Sequence, residues 1–268
     1  APGMPQAEDL ALNPKSLEAS GPFKSSSPIA QPRVFIPVFP GSHGEYELAQ
    51  AFEGQGAVVD FRVLQNRTPE VLQDSLRKMA QDISQCQILA LPGGASLGDE
   101  PDGAGKYIAG VLKNPYVMDA ITELIQKRDG LVLGLGNGFQ GLLLTGLLPY
   151  GKYKDLDETS PALILNPLGR PISKMVRTRI VCGPSPWFPS STLNTITTLP
   201  ISHPQGRFVT TKATLVSLMD AGQVATQYVD FDGDPSMEPH HNPYASQGSI
   251  EGITSPDGRI LGRMGHPE

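Results

Sequence analysis

The sequence predicts an α/β protein: a doubly wound, mostly parallel sheet with a strand-rich C-terminal half. Three observations predict it. Between residues 33 and 148 short apolar runs alternate with segments of helical periodicity. Several of those runs end on glycine turns, as parallel strand–helix units do. From about Pro161 onward the helical spacing gives way to strand-like runs, and the 29 glycines and 26 prolines favour many tight turns over a helical bundle.

The elements follow in order. Residues 1–32 are rich in Pro and Ser without sustained periodicity and are expected to form a flexible linker or arm, with one domain over 33–268. Arg33 to Pro40 is an apolar run suited to a buried parallel strand. After the Gly41-Ser42-His43-Gly44 loop, Tyr46, Leu48, Ala49 and Phe52 recur at helical spacing within Glu45–Gln55. Ala57 to Leu64 reads as a strand. Thr68-Pro69-Glu70 opens a helix, with Thr68 as N-cap and Pro69 in the first turn. The order then repeats: a strand over 87–91 ending in Pro92-Gly93-Gly94, a helix over 114–127, a strand over 130–135 meeting Gly136-Asn137-Gly138, and a helix over 139–148. Strand-like runs lie at 175–181, 208–210 and 224–229.

Composition removes several functions. The net charge of −6 has no basic run to neutralise phosphates, so nucleic acid is not expected as a partner. The two cysteines, Cys86 and Cys182, make neither a disulfide scaffold nor metal-type spacing, and no metal is expected. No apolar run has the roughly 18 residues of a membrane helix, and the polar, proline-broken start is not a signal peptide, so a cytoplasmic location is expected. The chain opens on Ala1 and stops at Glu268 immediately after a motif, and is expected to be a piece of something longer.

In an open α/β sheet, ligands bind at the carboxyl ends of the strands, and three segments put unusual residues there. Leu91-Pro92-Gly93-Gly94, followed by Ala95 to Glu100, lets backbone N–H groups approach a ligand, although a lone Gly-Gly is more often a plain tight turn. Gly134 to Gln140 is a strand, a sharp turn and a helix: a nucleophile elbow, whose tip is expected to carry Cys or Ser and carries Gly136. N–H groups after such a tip can stabilise an oxyanion. The same glycines could form a phosphate-binding turn, but that fingerprint belongs after the first strand with an acidic residue about 20 positions on. The third segment is Met264-Gly265-His266-Pro267-Glu268. An imidazole and a carboxylate two apart on extended chain share a side, so Glu268 could set the tautomer of His266, although a bare His-Pro-Glu also reads as a surface tail. His203 is the other candidate imidazole. His240-His241, in a polar loop, is expected to be solvated and lacks the further partners of a metal site.

Together these segments resemble a known family. From about Arg33 to Glu268 the chain resembles the glutaminase domain of phosphoribosylformylglycinamidine synthase (FGAM synthase), a class I, triad-type glutamine amidotransferase of purine biosynthesis with a flavodoxin-like fold. The resemblance is carried by RVFIPVFPGSHGEYELAQAF, LALPGGASLGDEPDGAGKYIAG, GLVLGLGNGFQGLLLTGLLPYG, SKMVRTRI with SPW, LPISHPQGRF, ATQYVDFDG and SIEGITSPDGRILGRMGHPE, in that order. It implies that Gly136 stands where the family has its nucleophilic Cys, that His266 matches the general base and that Glu268 matches the acid orienting it. It further implies oxyanion-hole N–H groups at Gly94 and Asn137, and substrate-framing roles for Gln140 and His203. The implied partners are glutamine and a synthetase domain, in the same chain or a separate subunit. ATP and Mg are expected only in that synthetase portion, with no cofactor in this domain.

The chain departs from the family pattern elsewhere too. Gly41-Ser42-His43-Gly44 stands for Gly-Thr-Asn-Cys, and Ala95-Ser96-Leu97-Gly98 for a Phe-Ser-containing loop. Pro204-Gln205 stands for Gly-Glu, and Asn242-Pro243-Tyr244-Ala245-Ser246 for Asn-Pro-Asn-Gly-Ser. Hydrolysis of glutamine by this family needs a thiolate to attack the side-chain amide, and glycine offers no such atom. Cys86 is expected at the strand end remote from the elbow, and Cys182 in a later loop. The resemblance therefore implies a glutaminase defective in hydrolysis or, as the alternative, a pseudoenzyme kept for docking or regulation.

Overall fold

The computed structural model describes residues 29–95, 105–181 and 185–268. Most of the expected arm, the loop from Ser96 to Glu100 and Cys182 lie outside them. The chain divides into two compact units, one of residues 24–145 joined by Glu268 and one that includes residues 146–267.

The first unit holds β1 (Arg33–Val38), β2 (Ser42–His43), α1 (Glu45–Glu53), β3 (Val58–Val63), α2 (Pro69–Gln85), β4 (Ile88–Leu91), β5 (Gly93–Gly94), α3 (Lys106–Leu112), α4 (Pro115–Lys127), β6 (Leu131–Leu135) and α5 (Asn137–Thr145). Its four long strands run in the order β3-β1-β4-β6, and every pairing among them is parallel. Central strands of such a sheet are covered on both faces, and Val34, Phe35, Ile36, Leu89, Ala90 and Leu91 are accordingly buried in unbroken runs. The helix caps fall where the sequence places them. Thr68 Oγ1 accepts the Val71 N–H at 3.3 Å, and Asn114 Oδ1 accepts that of Tyr116 at 3.2 Å, each with proline next in the chain. Leu76, Met79 and Ile83 form the buried stripe of α2; Val117, Ile121 and Leu124 form that of α4.

The second unit holds α6 (Leu147–Tyr150), β7 (Ala162–Leu165), β8 (Ile172–Ile180), β9 (Ile196–His203), β10 (Gln205–Val209), α7 (Lys212–Asp220), β11 (Val224–Tyr228), β12 (Ile250–Thr254) and β13 (Ile260–Arg263). Strands run in the order β13-β12-β11-β8-β9 with antiparallel pairing throughout, and β10 pairs separately with β7. Pro200 sits inside β9 without disrupting the pairing with β8, because β9 is an edge strand with one unpaired side.

Four local readings change. Tyr46 is 70% exposed, so only Leu48 and Ala49 of the expected stripe of α1 are buried. The helix expected over 139–148 stops at Thr145, because Gly146 adopts φ +79° and restarts the chain as the short turn α6. The seven-residue helix α3 lies in a stretch left without an element. α7 interrupts the strand-rich half. Thr211 caps it by accepting the Thr214 N–H at 3.2 Å, and Leu215 and Leu218 face inward three apart.

Candidate functional site

In the first unit, β6 delivers the chain to Gly136, whose φ is +50° and whose carbonyl accepts the Gln140 N–H at 3.2 Å as the first bond of α5. The turn is therefore the strand–tip–helix elbow, with glycine as its N-cap. Helix α5 lies directly on β4: a Cβ added to Gly138 would stand 2.5 Å from the Leu91 carbonyl oxygen. The first N–H groups of α5 have no acceptor within the helix, and the helix dipole makes this end electropositive. Developing negative charge at the tip would be favoured by both.

The Gly93-Gly94 turn is pinned at the same end of the sheet. β4 and β6 run parallel with Leu91 opposite Gly134, so both strands finish together. Gly94 (φ +113°) pairs with Ser42, and a Cβ there would meet the Gly41 carbonyl oxygen at 2.4 Å. Only glycine fits. Asn137 and Gln140, both buried, bond to each other: the Asn137 amide donates to Gln140 Oε1 at 2.8 Å, while Asn137 Oδ1 is buried with no hydrogen-bond partner among the described residues. Glu268 belongs to this unit, with Oε1 3.2 Å from where a Gly44 Cβ would be, at the N-cap of α1. A carboxylate is favoured at that helix end.

Cys86 caps the C-terminus of α2 and precedes β4, at the sheet end opposite Gly136. Its buried thiol donates to the Ile83 carbonyl at 3.4 Å, and burial pushes its pKa up to about 12. A thiol that stays protonated, at the end of the strands opposite Gly136, is not placed to act as a nucleophile at the elbow.

The second unit holds the imidazoles. His266 follows β13, its N–H donating to the Pro200 carbonyl at 3.1 Å. The preceding Gly265 N–H donates to Glu251 Oε1 at 2.6 Å. Glu251, buried on β12, is paired with Arg263 at 3.0 Å and accepts the Thr226 hydroxyl. This buried cluster clamps the chain one residue before His266. His203 closes β9, and its Nε2 lies 3.0 Å from His266 Nε2, with ring centroids 4.9 Å apart and planes 19° from parallel. Tyr244 Oη contacts both the His203 N–H and Nδ1, each at 3.2 Å. Burial, with the neighbouring His266 second, lowers the His203 pKa to about 3, so this ring is neutral at physiological pH. The loop bearing Tyr244 is closed by Asn242, whose side chain donates to the Ser246 carbonyl at 2.9 Å and accepts the Ser246 N–H at 3.0 Å.

His240 is exposed beside Lys174 and Phe231. Among the described residues no group of three His, Cys, Asp or Glu side chains is placed to hold a metal ion. Nor is any helix among them long and apolar enough to cross a membrane.

Residues 31–268 match the family of CobB/CobQ-like glutamine amidotransferase domains. The phosphoribosylformylglycinamidine synthase subunit PurQ of Synechococcus sp. (strain JA-3-3Ab) is 33% identical over 245 residues, covering 90% of this chain and 89% of the relative. The chain belongs to this amidotransferase family. PurQ of Treponema denticola is 32% identical over 253 residues, covering 89% of this chain and 88% of its own length. The fold is that of the solved structure of PurLQS from Thermotoga maritima, at a TM-score of 0.62 and 23% identity, with 88% of each chain covered.

Three residues of this amidotransferase domain escaped the sequence reading: Glu251, Arg263 and Tyr244. The first two carried a usable signal. A lone acid in Ser249-Ile250-Glu251-Gly252-Ile253 and a lone base in Leu261-Gly262-Arg263-Met264 are single charges in otherwise apolar strands, and each demands a partner on burial. Tyr244 stood out as a departure from the family pattern, but nothing local tied it to His203, 41 residues away.

Proposed function

We propose that this chain is the glutaminase component of an FGAM synthase, working beside an ATP-dependent synthetase partner in the cytoplasm, and that it has lost glutamine hydrolysis through Gly136. The single observation that carries the second half is the occupant of the elbow tip: a positive-φ glycine, with no atom to attack an amide. In the intact reaction a thiolate adds to the glutamine side-chain carbonyl, and the oxyanion formed is held by backbone N–H groups, here those of Gly94 and Asn137. Ammonia leaves with a proton returned by the base, and water then releases glutamate from the thioester. His266 takes the base role and Glu268 the orienting role. Gln140, fixed by Asn137, frames the glutamine side chain, and His203 lies behind His266. Without the thiol only the N–H groups and binding remain, and loss of the nucleophile in comparable triads lowers turnover by about 10⁶.

The same glycine favours a second reading, a folded amidotransferase module retained for docking or regulation of a synthetase that runs on free ammonia. Two measurements separate them. Ammonia release from glutamine is compared for the chain and Gly136→Cys. The first reading expects release only from the variant, whereas no release from either sinks it by showing that more than the nucleophile has gone. Calorimetric titration with millimolar glutamine expects heat on the first reading and none on the second.

A further inference from the structure

The contacts around His266 fix where its proton sits. Tyr244 is fully buried, and its hydroxyl has one hydrogen to donate and two lone pairs to accept with. The His203 backbone N–H can only donate, so at 3.2 Å it occupies one of those lone pairs. The hydroxyl hydrogen then needs an acceptor, since a buried O–H without one keeps the full cost of leaving water. The acceptor within reach is His203 Nδ1, also at 3.2 Å. An Nδ1 that accepts carries no proton, so the single proton of neutral His203 is on Nε2. That N–H points to His266 Nε2, 3.0 Å away, which must then be the acceptor and bare. The only remaining place for the proton of a neutral His266 is Nδ1.

We infer that Tyr244 and His203 form a proton-ordering relay that fixes His266 as the Nδ1–H tautomer and occupies its Nε2 lone pair. The reverse ordering would put an N–H from each ring face to face or leave the Tyr244 hydroxyl hydrogen without an acceptor. Burial of His203, which holds its pKa near 3, removes the doubly protonated ring that could otherwise donate in both directions. Tyr228 lies edge-on to Tyr244 with ring centroids 6.4 Å apart, and Glu251 is taken up by Arg263, Thr226 and Gly265.

The consequence is a latch on the imidazole. A base accepting a proton at Nε2 must offer that lone pair, and here it is offered only if the two rings part or His203 moves its proton to Nδ1 against the Tyr244 hydroxyl. Calling His266 the base rests on the proposed function; the ordering of the protons does not. His203 and Tyr244 are thus positioning residues that act through His266.

The test is a long-range ¹H–¹⁵N correlation spectrum of the histidine side chains in the ¹⁵N-labelled chain at neutral pH, without glutamine. Expected are His266 protonated on Nδ1 and His203 on Nε2. In Tyr244→Phe the donor to Nδ1 is gone, so the His203 pattern shifts toward a mixture and the His266 Nε2 resonance moves with it, while His43, His240 and His241 keep theirs. His203→Gln can still accept from Tyr244 and donate to His266, and is expected to leave His266 as the Nδ1–H form. A wild-type spectrum with His266 protonated on Nε2 overturns the relay and needs no variant to fold. An unchanged His203 pattern in Tyr244→Phe overturns it equally. Because no glutamine is present, failure here is distinct from failure of the ammonia assay.

Discussion

Arg263→Met is the substitution whose effect the structure sets most sharply. Glu251 is 1% exposed, and its carboxylate is satisfied by the Arg263 guanidinium at 3.0 Å, the Thr226 hydroxyl and the Gly265 N–H at 2.6 Å. Methionine fills much of the arginine volume but leaves the carboxylate without its counter-charge, two hydrogen bonds notwithstanding. Breaking a buried pair from one side costs about 3–5 kcal/mol. With about 2–4 °C of melting temperature per kcal/mol for a chain of this order, the fall should be roughly 6–20 °C. The discriminating assay is a double-mutant cycle read by thermal and urea unfolding. Adding Glu251→Gln to Arg263→Met removes the stranded charge and keeps an acceptor for Gly265, so it should recover at least half of the loss. The reasoning is refuted if Arg263→Met melts within about 2 °C of the parent, or if the double variant is no more stable than the single one.

Three further outcomes follow from individual contacts. Gly138→Ala puts a Cβ 2.5 Å from the Leu91 carbonyl oxygen, a backbone atom that cannot swing aside. Overpacking of that type costs about 1–3 kcal/mol or more, and a urea midpoint equal to the parent's would show that α5 is free to lift off β4. His203 has its folded pKa lowered from 6.5 to about 3, so the unfolded chain binds the extra proton in between. Its contribution to stability is present above pH 6.5 and is lost as pH falls toward 3, by up to about 1.4 kcal/mol per pH unit. The stability difference between the parent and His203→Gln should therefore move against the parent between pH 6.5 and 4.5, and a constant difference would contradict a buried neutral imidazole. Gly136→Cys places a side chain at φ +50°, a strained conformation costing roughly 1–3 kcal/mol, so its melting temperature should fall; an unchanged or higher value would mean that the turn is not held in that geometry.

The first unit was legible because its signals are local. Thr68-Pro69 and Asn114-Pro115 cap helices in sequence as they do in space. Val34-Phe35-Ile36 and Leu89-Ala90-Leu91 read as buried parallel strands because each face of a parallel sheet is covered. The elbow was legible for the same reason: strand, tip and helix adjoin in the chain. The second unit was less so. Strand pairs such as β8 with β11 and β7 with β10 join across long separations, and α7 was overlooked because its inward face is only Leu215 and Leu218, too narrow a stripe to stand out among strand-like runs. The imidazole pair was the least legible feature. His203 and His266 lie 63 residues apart, and their contact depends on the edge strand β9 and on the clamp that Glu251 makes at Gly265. No spacing rule links such positions. What the sequence did contain was the pair of isolated charges, Glu251 and Arg263, whose burial forces them together.

The proposal that Gly136 leaves the chain without a nucleophile can be tested outright by mass spectrometry after treatment with an electrophilic glutamine analogue. The parent chain should gain no adduct, at Cys86 and Cys182 included, and Gly136→Cys should gain one, on residue 136. Labelling of the parent at either natural cysteine, with ammonia released from glutamine, would contradict the claim that the nucleophile is missing.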